Sequence, residues 1–258
     1  MMVDNCYDKV ENPTAFSTPT RKARLLYQPR EDHSLLTVTF NFLKISIPTI
    51  ISCIFLELTF LINTVFAGGL NDASKLAGVG LGTVCVNIVC LQPIMGMNGA
   101  METLVSQAYG AKQLRLCGTY LNRGRLINTV IFIPLIVILC FSRPILTSFG
   151  QNPRVIDHAV TYISVCIPGV YFQSMFDLKK RFLNCMTISW VPMLAQIGGT
   201  VLHVLWCYIF VIYLDMQVVG LGLATAITNV GIFLMITLYA HFLPKIKESL
   251  FCFDKSVL

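Results

Sequence analysis

Charge is what this sequence has least of. Only 12% of its 258 residues are Asp, Glu, Lys or Arg, while 55% are hydrophobic; an ordinary soluble domain carries roughly 25% charged residues. A chain this poor in charge cannot cover a water-facing surface, and its mean hydropathy of +0.70 makes a bilayer the better solvent. Patterns for metal and disulfide chemistry are missing too. There are ten cysteines but no C-x-x-C, and Cys53, Cys85, Cys90, Cys140, Cys166 and Cys207 lie within apolar stretches. There they read as small packing residues rather than ligands or bridges. The four histidines form no H-E-x-x-H or similar set, and no nucleophile–base pair is visible. The sequence therefore predicts no enzyme and no cofactor. A TVGYG filter and a run of regularly spaced arginines are also absent, which excludes a voltage-gated channel.

What is present is length of apolar run. About 20 residues of helix cross the hydrocarbon core. Six stretches qualify, near Leu43–Ala67, Leu76–Val105, Leu126–Leu146, Ala159–Phe176, Val191–Leu214 and Val219–Leu243. Their continuity favours helices over the alternating strands of a barrel, and a helix satisfies its own backbone in lipid. The expected fold is an all-α, polytopic membrane protein. Residues 1–41 are polar, contain Pro13, Pro19 and Pro29, and read as a disordered tail. Residues 42–243 form the transmembrane domain, and 244–258 a short polar segment. No cleaved signal peptide is expected; Leu43–Ala67 serves as the first targeting helix.

Orientation follows from the basic residues. Of the 19 Lys and Arg, only Lys75, Arg143 and Arg154 fall on one side of the six spans; the other 16 fall on the opposite side. The positive-inside rule then places both termini in the cytoplasm. The net charge of +6 is explained by topology, and no nucleic acid is needed as a partner.

Polarity enters the membrane at few places. At 100° per residue, Ser46, Pro48, Thr49, Ser52, Cys53, Glu57, Thr59, Asn63 and Thr64 fall in one half of the first span, with isoleucines and leucines in the other. Glu57 lies about 21 Å along the helix from Leu43. An ionised carboxylate there is costly, so it is expected to be neutral, paired or beside water. No Lys or Arg is expected deep in any span. The one deep base is His203, about 20 Å past Trp190 and so at nearly the same depth as Glu57. Two roles are open for each. Glu57 is either a proton- or substrate-linked group or a protonated acid bonded to a neighbour. His203 is either its partner or a neutral ring donating to a carbonyl.

The second span ends in ETLVSQAYGA. Asn98, Glu102, Ser106 and Tyr109 share one helical stripe, and Gly99, Thr103, Gln107 and Gly110 the next. The glycines permit a close helix neighbour. The polar groups either bond that neighbour, tie the helix end to the 108–125 loop, or line a mouth open to water. Pro93, Pro134, Pro168 and Pro192 mark kinks. Gln173 follows Pro168-Gly169, and Asn229 closes a small-residue run in the sixth span.

Together these stretches resemble the N-terminal half of a multidrug and toxic compound extrusion (MATE) transporter of the eukaryotic type. The resemblance rests on Pro48, INTVFAGGLNDASKLAGVGLG at 62–82, GMNGAMETLVSQAYGAKQ at 96–113, CGTYLNRGR at 117–125, YISVCIPGVYFQSMFDLKKRFL at 162–183 and VVGLGLATAITN at 218–229. It implies one six-helix lobe of a two-lobe antiporter, exporting organic, expectedly cationic, compounds and xenobiotics in exchange for H⁺ or Na⁺ by alternating access. The expected pathway residues are Glu57, Asn63, His203, Gln173 and Asn229, with Asn98, Glu102, Ser106 and Gln107 as a polar motif at a helix end.

Several departures accompany the resemblance. Asn63 stands where many bacterial members have a cation-binding aspartate, and an amide cannot carry a proton in that way. His203 falls near a position where relatives carry Asp or His, and Gly199 where Asn is frequent. Asn184-Cys185-Met186 departs from a common pattern with glutamine. A key glutamate of eukaryotic members lies in a C-terminal lobe outside this sequence. The expected partners are a small organic cation, the lipid bilayer of a plasma or vacuolar-type membrane, and a second lobe or self-association. The rivals are a truncated remnant, a non-transporting receptor or scaffold, and a flippase for lipid-linked sugars.

Overall fold

The structure is a computed structural model that describes residues 35–242. The chain divides into two units, Met1–Phe42 and Leu43–Leu258; of the first, only the opening turns of one helix are described. Most of the expected 1–41 tail and the 244–258 segment lie outside the described residues.

Among those residues every regular element is helical. In order they are α1 (Leu35–Gly68), α2 (Ala73–Gly110), α3 (Leu114–Cys140), the short α4 (Ser142–Ser148), α5 (Pro153–Cys185), α6 (Trp190–Tyr213) and α7 (Gln217–Phe242). All but α4 are long and apolar enough to cross a membrane. The all-α, six-span expectation therefore stands, with different bounds. Helix α1 begins at Leu35, inside the expected tail. The third span is displaced towards the N-terminus: α3 ends at Cys140, and Arg143–Leu146 belongs to α4. The fourth runs on past Phe176 to Cys185. Helix α5 runs on past its apolar stretch because its last turns still pack on protein, with Leu178, Phe182 and Leu183 buried.

Left-handed residues sharpen the turns. Asn71, Lys112, Gly150, Thr187 and Asp215 each take positive φ in successive connections. Asp72 caps α2, its carboxylate accepting from the Ser74 amide at 2.8 Å, and Asn152 caps α5 in the same way, accepting from Arg154. Two helices contain π turns, at Asn87–Leu91 in α2 and Tyr208–Tyr213 in α6.

Helix α5 is the hub, packing most extensively on α7 and α2. Small residues make this possible: a Cβ on Gly169 would stand 2.5 Å from the Ala226 Cα, so the α5 and α7 backbones touch where a larger residue cannot fit. More than half of α7's apolar stretch is buried (56%), but only 11% of α1's. Helix α1 turns Ser52, Thr59, Asn63 and Ala67 inward. It leaves Ile50, Ile54, Leu61 and Val65 more than half exposed on its other side.

Candidate functional site

The inward stripe of α1 meets α6 and α7 through hydrogen bonds whose directions are fixed by donor count. Thr225 Oγ1 donates to the Leu221 carbonyl at 2.9 Å, the usual i−4 bond of a helical threonine. Its proton is thereby used, so it accepts from Asn63 Nδ2, also at 2.9 Å. The Asn63 carbonyl then faces His203, whose Nε2 lies 3.1 Å away and must carry the proton. Nδ1 of the same ring lies 2.9 Å from Thr228 Oγ1 and accepts from it. His203 is fully buried and Asn63 nearly so. The chain Thr228–His203–Asn63–Thr225 is thus satisfied with a neutral imidazole, and Tyr162 and Cys207 pack at its edges.

Beside it, Thr59 and Thr200 meet at 3.1 Å, joining α1 to α6. A cavity of about 40 Å³ adjoins Asn63's partners Tyr162 and Thr225 and is also lined by Thr59, Asn87, Gln173 and Asn229. Gln173 is buried and its Oε1 has no hydrogen-bond partner. A cavity needs roughly 10–15 Å³ to hold one water, while drug-sized ligands occupy about 300–1,000 Å³. The space suits water or a hydrated proton, not an organic molecule. Asn87, at the start of the α2 π turn, is a wall residue that the sequence reading missed. Such turns occur often at functional sites.

Glu57 and His203, at one depth by sequence, do not meet. Glu57 is exposed, on the outer side of α1 with Ile50, Ile54 and Leu61. The reason is angular. The polar half of α1 is a full 180° wide, and Glu57 lies at its edge, two residues from the inward Thr59 and so separated from it by about 160° around the helix.

A family comparison now bears on this geometry: the model of the MatE family matches residues 48–209. The chain belongs to the MatE family. Members are transporters rather than enzymes. Similar proteins include Multidrug and toxin extrusion protein 1 of Danio rerio, 29% identical over 211 residues, or 80% of this chain and 36% of that protein. Protein DETOXIFICATION 49 of Arabidopsis thaliana is 26% identical over 239 residues, 93% of this chain and 44% of that one. The crystal structure of the eukaryotic MATE transporter AtDTX14 shares the fold with a TM-score of 0.81 at 20% identity, covering 86% of this chain and 49% of that one. The chain therefore spans half or less of the length of these relatives.

Within this MatE chain the departures noted above acquire physical reasons. A Cβ on Gly199 would stand 2.1 Å from Ile232 Cγ1, so the packing of α6 on α7 leaves no room for an asparagine there. Asn63 does not leave a gap where a carboxylate is missing, because its amide serves both Thr225 and His203.

At the helix-end motif the bonded partner is a neighbouring helix: Glu102 accepts from Arg181 of α5 at 2.8 Å. Arg181 also donates through Nε to Asp177 at 2.9 Å, and buried Asn98 donates to the same carboxylate oxygen at 2.9 Å. Ser106 donates to its own helix at the Thr103 carbonyl, and Gln107 is exposed. Lys179 is buried, bonded to Thr237 and set 4.4 Å from the Phe233 ring centre. Asp177, Lys179 and Arg181 were missed because the fourth span was ended at Phe176. The i,i+4 spacing of Asp177 and Arg181 was the available signal.

Proposed function

We propose that this chain is the six-helix lobe of an antiporter that exports organic cations, xenobiotics among them, in exchange for H⁺ by alternating access. Family membership supports transport. The buried Asn63–His203–Thr228 network supports the choice of ion. An imidazole takes up a proton near neutral pH when its surroundings permit. When it does, Nδ1 becomes a donor and Thr228 must turn its own proton elsewhere, so a single charge rearranges contacts between α6 and α7. Sodium, the other coupling ion considered, is a hard cation best held by carboxylates and several oxygens, and the network contains no carboxylate.

The water-sized cavity cannot hold the organic substrate. Gln173 and Asn229 accordingly serve the ion pathway, and the substrate meets the outer face of α1. Glu57 sits on that face, where lipid contact would be costly for a carboxylate. A second lobe or a second copy of this chain facing α1 across an aqueous cavity removes that cost and gives Glu57 a cation to recognise. Both termini lie in the cytoplasm, by the positive-inside distribution, in a plasma or vacuolar-type membrane.

The test is uptake of a fluorescent organic cation by proteoliposomes under a pH gradient or, separately, a sodium gradient. The pH gradient alone drives wild-type flux, and Glu57→Gln weakens cation recognition. Flux driven only by sodium, or unaltered by Glu57→Gln at equal protein content, contradicts the reading.

A further inference from the structure

A cavity of about 510 Å³ opens where the ends of α1 and α6 meet the starts of α2 and α7. It falls within the roughly 300–1,000 Å³ that drug-sized molecules occupy, unlike the water-sized space beside Asn63. Phe66, Leu70, Val211 and Ile212 give it apolar walls, and Lys75 and Asp215 add opposite charges.

The two charges are not equivalent. The Asp72 carboxyl is held below its ordinary range by the Ser74 amide and by the charge of Lys75, so Lys75 already has a counterion. Asp215 is exposed and has neither an ion pair nor a side-chain hydrogen bond among the described residues. The cavity therefore carries one uncompensated negative charge. The turn that bears it is fixed. The Leu214 amide donates to the Ile209 carbonyl and the Met216 amide to the Phe210 carbonyl, both at 2.9 Å. A Cβ on Gly220 would stand 2.8 Å from the Phe210 oxygen, so α7 starts hard against α6. The backbone beneath the charge is thus ordered before a ligand arrives, which lowers the cost of binding. Asp215 falls between Tyr213, the last residue of α6, and Gln217, the first of α7. It lies where the apolar spans end and water reaches it.

We infer that this cavity binds a water-soluble organic ammonium, with the charged nitrogen on Asp215 and an apolar body against Phe66, Leu70 and Val211. A neutral molecule of the same shape gains the walls but not the charge, and an anion is repelled by Asp215. In the orientation proposed above, the cavity opens on the non-cytoplasmic side, where an exported cation leaves. That direction rests on the antiport reading; the binding does not, and it is measured without a gradient.

The test is fluorescence anisotropy of dansylcadaverine, a primary ammonium, and of its uncharged N-acetyl derivative with the full purified chain in detergent. One exposed charge contact predicts about fivefold tighter binding of the ammonium. The preference persists in Glu57→Gln, which removes the α1 face from the measurement, and is lost when Asp215→Asn is added to it. Asparagine accepts the left-handed backbone of this position, φ 48°, so the second change removes charge alone. Ile212→Ser, in the exposed part of the wall, weakens both probes. Asp157→Asn, at the same end of the lobe but paired with Arg143 and outside the cavity, leaves the preference intact. So does phosphatidylethanolamine in the micelles, which carries the same ammonium on a lipid. Equal binding of the two probes to Glu57→Gln, a preference that survives the added Asp215→Asn, or an equal loss in Asp157→Asn overturns the site. Displacement by phosphatidylethanolamine overturns the soluble class and assigns the cavity to lipid.

Discussion

His203 Nε2 donates to Asn63 Oδ1 at 3.1 Å, and this bond joins the peripheral helix α1 to the bundle through a group that can change its charge. Replacing Asn63 by leucine strands the His203 N–H and removes a donor to Thr225. Each buried polar group left without a partner costs about 1–3 kcal/mol. Asn63→Leu is expected to lower the thermal midpoint of the purified chain, whereas Thr64→Val, on the exposed side of α1, leaves it nearly unchanged.

Arg181 neutralises a carboxylate that is 8% exposed, Asp177, and one that is 43% exposed, Glu102. The two pairs differ in worth. Removing one member of a buried pair costs about 3–5 kcal/mol, while an exposed pair contributes about 0–1 kcal/mol. Arg181→Met is therefore expected to destabilise strongly, Glu102→Gln weakly, and the double variant Asp177→Asn/Arg181→Met to recover much of the single loss. Thermal unfolding of the four proteins in one detergent measures this.

Gly199 is a packing requirement. Its substitution by alanine drives a methyl group into Ile232, and overpacking of this kind costs about 1–3 kcal/mol. Adding Ile232→Val, which shortens the colliding side chain, is expected to restore part of the thermal midpoint. Equal destabilisation with and without the second change would count against the clash.

The bond from the Ser74 amide holds the Asp72 carboxyl below its ordinary range. The stabilisation is thus fully present above the ordinary carboxylate pKa near 4 and is lost as pH falls through the lower folded value. Hydrogen exchange at Ser74 is expected to be slower than in Asp72→Ala at neutral pH, with the difference vanishing only in acid below the ordinary range.

The spans were legible because an uninterrupted apolar run has few alternatives to a helix in lipid, and the motifs at 62–82 and 96–113 pointed to the family. The helix ends were not legible. Asp177, Lys179 and Arg181 resemble a cytoplasmic loop in composition, yet α5 carries them inward against α2 and α7. Residue depth placed Glu57 and His203 together, but depth says nothing about azimuth. The crossing of α1 on α6 gives His203 to Asn63, and no local pattern encodes that crossing. Thr225 and Thr228 looked like small packing residues, and only the network reveals them as an acceptor and a donor.

His203→Gln keeps a donor for Asn63 but cannot take up a proton. Proteoliposomes containing equal amounts of wild type or this variant can be loaded with an organic cation and given an outward or inward pH gradient. The expected result is flux that reverses with the gradient in the wild type, and in the variant flux that no longer responds to it. Gradient-driven flux of the same size and sign in both proteins would contradict proton coupling through His203.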